Sequence, residues 1–159
     1  MALDAAVEIS GPGGQRTVSL IDFHRLPEST PHLETVLEAG EVIAAITVPA
    51  SPVARRSHYL KVRERASFEF ALASAAVALE LDGDRIRQAR VALGGVGTKP
   101  WRAPRVEAAL AGASLEPAVL RSAAALAAEG AQGSEHNDFK IELMQRVIVR
   151  AVQTAGARA

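Results

Sequence analysis

Two cations close together are the residues of this chain best placed to do chemistry. Lys61 and Arg65 lie four positions apart in the run Tyr-Leu-Lys-Val-Arg-Glu-Arg that ends at Arg65. A lysine and an arginine that reach one cleft can stabilise an electron-rich ring, an anionic cofactor or a phosphate. The competing interpretation is a solvated basic rim paired with Glu64 or Glu69, because exposed charges seldom do chemistry. On the residues alone both interpretations stay open.

A second candidate is the glycine-rich corner at residues 94–97, Gly-Gly-Val-Gly, which precedes Lys99 and Pro100. It lacks the Gly-x-Gly-x-x-Gly order of dinucleotide-binding loops. Lys99 is also not followed by the Ser or Thr that a P-loop requires. The spacing therefore favours small residues at a point where a strand leaves its sheet.

Several other chemistries are disfavoured. The four histidines form no metal pair at helical spacing, and the chain has no cysteine for a thiolate nucleophile, a disulfide or a cysteinyl metal site. Ser67 and Ser74 lack the flanking glycines of a nucleophile elbow. We therefore rank a self-sufficient hydrolase or metal enzyme last.

The charge balance argues against nucleic acid and membrane partners. The 159 residues contain 18 Lys plus Arg and 18 Asp plus Glu, so no global field draws the chain to a polyanion. No apolar stretch approaches the roughly 20 residues that span a bilayer. An acid, Asp4, stands where a signal peptide would be basic. We expect a cytoplasmic protein, with the periplasm left open for an assembled complex.

The elements that must position these residues begin with strands. Residues 7–9 and 16–20 alternate around the Gly/Pro cluster at 11–14, which predicts a hairpin. A β-rich segment at 41–48 follows and ends at Pro49. The polar segment from residue 49 to 56 is the predicted domain boundary.

A second unit is predicted from His58 onward. Residues 59–63 read as a strand that carries Lys61 on one side. Residues 71–81 have the alanine content of a helix but the period-two apolar pattern of a strand, and Asp82-Gly83 follows at once. We therefore predict two antiparallel strands joined by a type I′ turn, with residues 85–93 running back.

Three helices follow in the sequence. They are predicted to begin at Pro104, at Pro117 and at a cap formed by Asn137 or Asp138. In the last helix the apolar stripe places two residues, Val147 and Ile148, against the sheet face of Val77 and Leu79. Strands followed by consecutive helices indicate an α+β fold.

Several of these segments are collinear with one known family. They are Tyr-Leu-Lys-Val-Arg-Glu-Arg at 59–65, Val-Ala-Leu-Gly-Gly-Val at 91–96, Lys-Pro-Trp-Arg-Ala at 99–103, and the closing run at 136–151. In order and spacing they resemble the FAD-binding (medium) subunits of the molybdenum hydroxylases, the group of xanthine dehydrogenase, aldehyde oxidoreductase and carbon monoxide dehydrogenase.

The resemblance implies an architecture. Residues 1–50 would be the β-rich tail of an FAD-binding domain whose glycine-rich lobe is absent from this sequence. Residues 56–159 would be the C-terminal α+β domain, a three-stranded antiparallel sheet packed on a three-helix bundle.

The resemblance also implies a function and a site. Such a subunit carries FAD and passes electrons between iron–sulfur clusters and an outside acceptor. Ile43 and Lys61 match its flavin contacts, and Arg65 matches more weakly. The implied partners are a molybdopterin-binding large subunit, a [2Fe-2S] small subunit and the missing FAD-binding lobe, without which FAD binding should be weak. The alternative is a non-enzymatic assembly module that binds no cofactor itself.

Overall fold

Three short strands at the start of the chain form one antiparallel sheet in the computed structural model, which describes residues 1–157. The strands are β1 (Ala6–Gly11), β2 (Gly14–Ser19) and β3 (Val42–Thr47), in the order β2-β1-β3. The predicted hairpin is confirmed, because β1 pairs with β2 from Ala6↔Ser19 to Gly11↔Gly14. A four-residue helix, α1 (Leu20–Phe23), follows β2. The compact unit that contains this sheet runs from Leu3 to Ala50.

The core of this first unit is small and leaves β3 open. Its buried cluster consists of Val7, Ile9 and Phe23. A β-bulge shifts the pairing of β1 with β3 at Glu8/Ile9. Ile9 then pairs with Ile43, and Val7 pairs with Ile46. Ile43 and Ile46 are three positions apart, and the bulge places them on the side of the sheet that carries Val7 and Ile9. Ile43 and Ile46 both remain exposed, because β3 is an edge strand.

A second compact unit begins at Ser51 and contains a four-stranded antiparallel sheet. Its strands, in order across the sheet, are β4 (Ser57–Val62), β5 (Ala73–Asp82), β6 (Arg85–Gly94) and β7 (Trp101–Arg102). The three predicted strands are therefore confirmed, including the strand at 71–81 that alanine content would have made helical. The two-residue edge strand β7 is an addition that the sequence did not reveal.

The turn between β5 and β6 differs from the predicted type. Asp82 pairs with Arg85, so the two central residues are Gly83 and Asp84, one position later than Asp82-Gly83. Gly83 has a φ of 61°, whereas Asp84 is not among the residues with positive φ. A positive φ at the first central residue alone is the pattern of a type II′ turn, because type I′ needs it at both.

Helices cover one face of the second sheet. They are α2 (Pro104–Leu110), α3 (Pro117–Ala125), which continues into a 3₁₀ turn at Leu126–Ala128, and α4 (Phe139–Gly156). Another 3₁₀ turn, Pro52–Arg55, precedes β4. The predicted prolines begin α2 and α3. Asp138 is the N-cap residue of α4, but its side chain accepts no capping hydrogen bond. The Asn137 side chain instead accepts a hydrogen bond from the backbone N–H of Ser134 at 2.6 Å.

The main core lies between this sheet and the helices. Ala73, Ala75, Val77 and Leu79 form the inner face of β5 and are at most 1% exposed. Val147 and Ile148 of α4 belong to the same buried cluster, at 2% and 1% exposure. The predicted buried stripe of the last helix is thus confirmed. Within residues 1–157, no helix is long and apolar enough to cross a membrane.

Candidate functional site

Lys61 lies on the outer face of the second sheet, away from the helices. In the strand register Lys61 of β4 pairs with Ser74 of β5, and Ser74 pairs with Gly94 of β6. The neighbouring residues, Ala75 and Leu93, are buried in the helix-covered core. Because successive side chains alternate between the faces of a sheet, Lys61, Ser74 and the α-carbon of Gly94 line up on the opposite face.

In this row Lys61 lies beside a surface formed by Ser74 and Gly94, which we call the flat floor because no long side chain protrudes from it. Gly94 has no side chain, and a methyl group built there would lie 2.8 Å from Ser74 Oγ. Ser74 is small and only 5% exposed, whereas Lys61 is exposed. Within residues 1–157 the Lys61 ammonium has no ion-pair or hydrogen-bond partner. An unpaired ammonium next to a surface without protruding side chains can receive the edge of a flat, electron-rich group.

Arg65 lies in the loop between β4 and β5 rather than on the strand. Its Nε is 3.8 Å from Glu69 Oε1, and its backbone N–H donates to Glu69 Oε2 at 3.3 Å. The Arg65 side chain is 72% exposed, so this ion pair is weak. Arg63 donates to the carbonyl of Ser67 at 2.8 Å. The predicted cation pair therefore consists of a strand lysine that has no partner among residues 1–157 and a loop arginine that pairs with a carboxylate.

Two aromatic side chains in the same loop are fully exposed. Phe68 and Phe70 have relative exposures of 106% and 95%. Exposed large apolar side chains that occur together mark interaction sites. Sequence reasoning assigned neither a role, although a signal was present: both flank Glu69 in a segment with no regular apolar period.

Ile43 lies on the edge strand β3 of the first unit and is 46% exposed. Its neighbours Val42, Ile46 and Val48 are exposed by 62%, 60% and 51%. An exposed apolar edge strand is a liability unless something covers it. Ile43 therefore has the chemistry of an apolar contact that excludes water from a ligand or a partner.

Close packing accounts for the glycine-rich corner. Gly95 has a φ of 74°, and a methyl group there would lie 2.8 Å from the carbonyl oxygen of Ala71. A methyl group on Gly97 would lie 2.6 Å from the Trp101 ring. Lys140 donates from Nζ to the Gly95 carbonyl at 2.8 Å, which ties the corner to α4. These contacts support the structural interpretation of the glycines over a phosphate loop.

Across residues 1–157, no group of three or more His, Asp and Glu side chains could hold a metal ion. An open cavity of about 490 Å³ lies between the glycine-rich corner and the start of α4, and Trp101, Lys140 and Met144 are among its lining residues.

Comparison with known proteins finds matches for two segments of the chain. Residues 57–155 match the CO dehydrogenase flavoprotein C-terminal domain, and residues 1–51 match the FAD binding domain in molybdopterin dehydrogenase. The chain is 42% identical over 159 residues to the aldehyde oxidoreductase FAD-binding subunit PaoB of Escherichia coli, covering 99% of this chain and 46% of PaoB. It is 30% identical to the carbon monoxide dehydrogenase medium chain of Afipia carboxidovorans, covering 99% of this chain and 54% of that protein.

Solved structures of other proteins are similar to this chain as well. A crystal structure of Cu,Mo-CO dehydrogenase in its cyanide-inactivated form superimposes with a TM-score of 0.84 at 30% identity, over 99% of this chain and 55% of that one. Quinoline 2-oxidoreductase from Pseudomonas putida 86 gives the same TM-score and identity, over 98% and 53% of the two chains. The chain spans about half the length of these relatives. It belongs to the family of FAD-binding medium subunits of the molybdenum hydroxylases.

Proposed function

We propose that this chain forms the C-terminal part of an FAD-binding electron-transfer subunit and contributes one wall of its flavin site. The observation that carries the proposal is Lys61, an unpaired cation within residues 1–157 that stands beside the flat floor of Ser74 and Gly94. The exposed apolar side chain of Ile43 supports it from the first unit. Residues 1–50 would belong to the FAD-binding domain and residues 56–159 to the C-terminal domain.

Each residue has a separate task in this proposal. Ile43 excludes water from the ring, because its exposed aliphatic surface offers no hydrogen bond. Lys61 places a positive charge where negative charge accumulates on the ring. Arg65 contributes less, because Glu69 already neutralises part of its charge. Bound FAD would supply electron transfer between iron–sulfur clusters and an outside acceptor.

The pyrophosphate of FAD needs groups that this sequence does not offer. Backbone N–H groups of a glycine-rich loop usually hold such a phosphate, and Gly95 and Gly97 of the corner are closed by their own packing. We propose that a further FAD-binding lobe supplies them, and that a molybdopterin-binding large subunit and a [2Fe-2S] small subunit complete the complex in the cytoplasm. We assign Phe68 and Phe70 to the surface that contacts these partner subunits.

Complementation tests the proposal directly. We define the complemented subunit as this chain fused behind the segment of the E. coli relative that precedes the matched region. The chain alone is expected to fold and to purify without stoichiometric FAD, whereas the complemented subunit is expected to carry about one FAD. Stoichiometric FAD on the chain alone, or none on a folded complemented subunit, would contradict the proposal.

The second candidate is an assembly module that joins subunits without binding a cofactor. The exposed Phe68 and Phe70 and the uncovered strand β3 favour it, because they are apolar surfaces suited to protein partners. A complemented subunit that captures the large and small subunits equally well with and without FAD, and whose own FAD content stays at zero, would favour this candidate.

A further inference from the structure

We infer that Ser74 is a further flavin-contacting residue, whose hydroxyl forms a hydrogen bond to a polar atom at the edge of the ring that Lys61 approaches. The inference rests on the proposed function and adds to it a contact on the central strand β5. Ser74 pairs directly with Lys61 in the strand register, and facing residues of this kind have Cβ atoms about 5 Å apart. One group bound over this row can therefore contact both side chains.

The first observation is that the Ser74 hydroxyl has no hydrogen-bond partner within residues 1–157 and keeps access to solvent. Ser74 is only 5% exposed, and within residues 1–157 its side chain makes no hydrogen bond. Across the same residues no fully buried side-chain N or O atom lacks a hydrogen-bond partner, so the Ser74 hydroxyl oxygen is not sealed from water. The flanking residues of β5 are alanines, so alanine would satisfy the packing at this position equally well. The packing therefore does not require the hydroxyl, and a ligand can reach it as water does.

The second observation is the missing side chain at Gly94. Gly94 is not among the glycines with positive φ, so its backbone conformation does not call for glycine. Glycine within a strand is otherwise unfavourable, and it often marks a place where another group approaches closely. A methyl group at Gly94 would lie 2.8 Å from Ser74 Oγ. Glycine here therefore keeps open the space beside the hydroxyl.

Together these residues define the ligand's chemistry. Lys61 supplies a positive charge, Ser74 supplies a hydroxyl that can donate or accept, and Gly94 leaves a flat floor beside them. A planar heterocycle with polar atoms along one edge satisfies all three. The ring of a flavin has this chemistry.

The experiment compares FAD affinity with the stability of the protein free of FAD. In the complemented subunit, Ser74→Ala is expected to raise the FAD dissociation constant about 3- to 10-fold, the range for losing one hydrogen bond. The melting temperature of the FAD-free protein should not fall, because the hydroxyl has no partner there. Ser122→Ala is the matched control, since Ser122 is exposed and its hydroxyl donates to the Ala118 carbonyl of its own helix.

Gly94→Ala is a second, independent variant. Its methyl group should fill the space beside Ser74 and weaken FAD binding more than Ser74→Ala does. A Ser74→Ala variant with unchanged FAD affinity, beside a Lys61→Met variant that binds more weakly, would overturn the inference and leave the proposed function standing. A lower melting temperature with unchanged affinity would show that Ser74 is only structural. A complemented subunit that binds no FAD at all would remove the proposed function itself.

Discussion

Arg16 and Glu41 join strand β2 to the residue just before β3 through two parallel hydrogen bonds. Arg16 Nε donates to Glu41 Oε1 and Arg16 Nη2 to Glu41 Oε2, each at 2.7 Å. The guanidinium also donates to the Val36 carbonyl at 2.8 Å, and the backbone N–H of Glu38 donates to Glu41 Oε2 at 2.7 Å. In a unit whose buried cluster contains only Val7, Ile9 and Phe23, such a bidentate contact is a major link between distant segments.

We expect this pair to make the first unit sensitive to acid. The Arg16 guanidinium, then the Glu38 backbone N–H, lower the pKa of Glu41 to about 2 from its ordinary 4.5. Because the folded state holds this proton less tightly than the unfolded state, the stabilisation is complete above pH 4.5. It is lost as the pH falls toward 2.

Glu41→Gln should therefore lower the stability of the first unit at neutral pH, and the difference from wild type should shrink between pH 4.5 and 2. Thermal melting followed by the NMR amide signals of β1 measures it. Glu34→Gln, an exposed residue of the same unit, is the control. A difference that stays constant across this pH range would contradict the prediction.

Ile148→Ala should destabilise the second unit by about 2–4 kcal/mol, because it removes a side chain that is 1% exposed and leaves a cavity between α4 and the sheet. Urea unfolding followed by the fluorescence of Trp101, the single tryptophan, reports on this unit. Val119→Ala on α3, at 39% exposure, should change stability by less than about 0.5 kcal/mol. An unchanged midpoint for Ile148→Ala would mean that the helix face is wrongly assigned.

Glu107→Ala should destabilise the same unit by roughly 3 kcal/mol, because it removes one carboxylate from both a largely buried ion pair and a backbone hydrogen bond. Arg102 donates to Glu107 at 2.8 and 2.6 Å, and the Val91 backbone N–H donates to the same carboxylate at 2.8 Å. Both ionic side chains are only 11–14% exposed. Arg105→Ala, whose partner Glu129 is more exposed, should cost well under half as much in the same urea titration. Equal losses of unfolding free energy in the two variants would show that the Arg102–Glu107 pair stabilises the unit no more than the exposed pair does.

Lys61→Met should lower the two-electron potential of FAD in the complemented subunit by tens of millivolts. In the proposed site the lysine charge would stabilise the reduced, negatively charged ring more than the oxidised one, and roughly 30 mV corresponds to about 1.4 kcal/mol for two electrons. Methionine keeps much of the aliphatic stem. A spectroscopic redox titration measures the shift.

Two neighbouring cations serve as comparisons for Lys61. Arg63→Met should matter less, because Arg63 donates to Ser67, and Arg65→Met should matter less because Glu69 faces it. If Arg65→Met moves the potential and Lys61→Met does not, the charge that acts on the flavin is in the loop. If none of the three variants moves it, the basic cluster is a solvated rim.

The sequence determined the type and order of most elements. Period-two alternation of apolar residues over 73–81 outweighed alanine's helix propensity, because every second side chain of this strand faces the helix-covered core. The apolar stripe of α4 could be predicted from its 3.6-residue period, because one face of that helix packs on the core. Pro104 and Pro117 marked the starts of α2 and α3. These signals are local, and each depends on residues within a few positions of one another.

The tertiary structure decided which residues became neighbours. Three arrangements cannot be predicted from any local pattern. They are the bulge that places Ile43 and Ile46 on one side of the first sheet, the pairing of Arg65 with Glu69, and the row Lys61–Ser74–Gly94. Strand register depends on how side chains from distant segments fill a shared core, and a slip of one residue would turn every side chain to the other face. For that reason Ser74 and Gly94 had separate, unremarkable interpretations in the sequence and meet Lys61 only in the folded sheet.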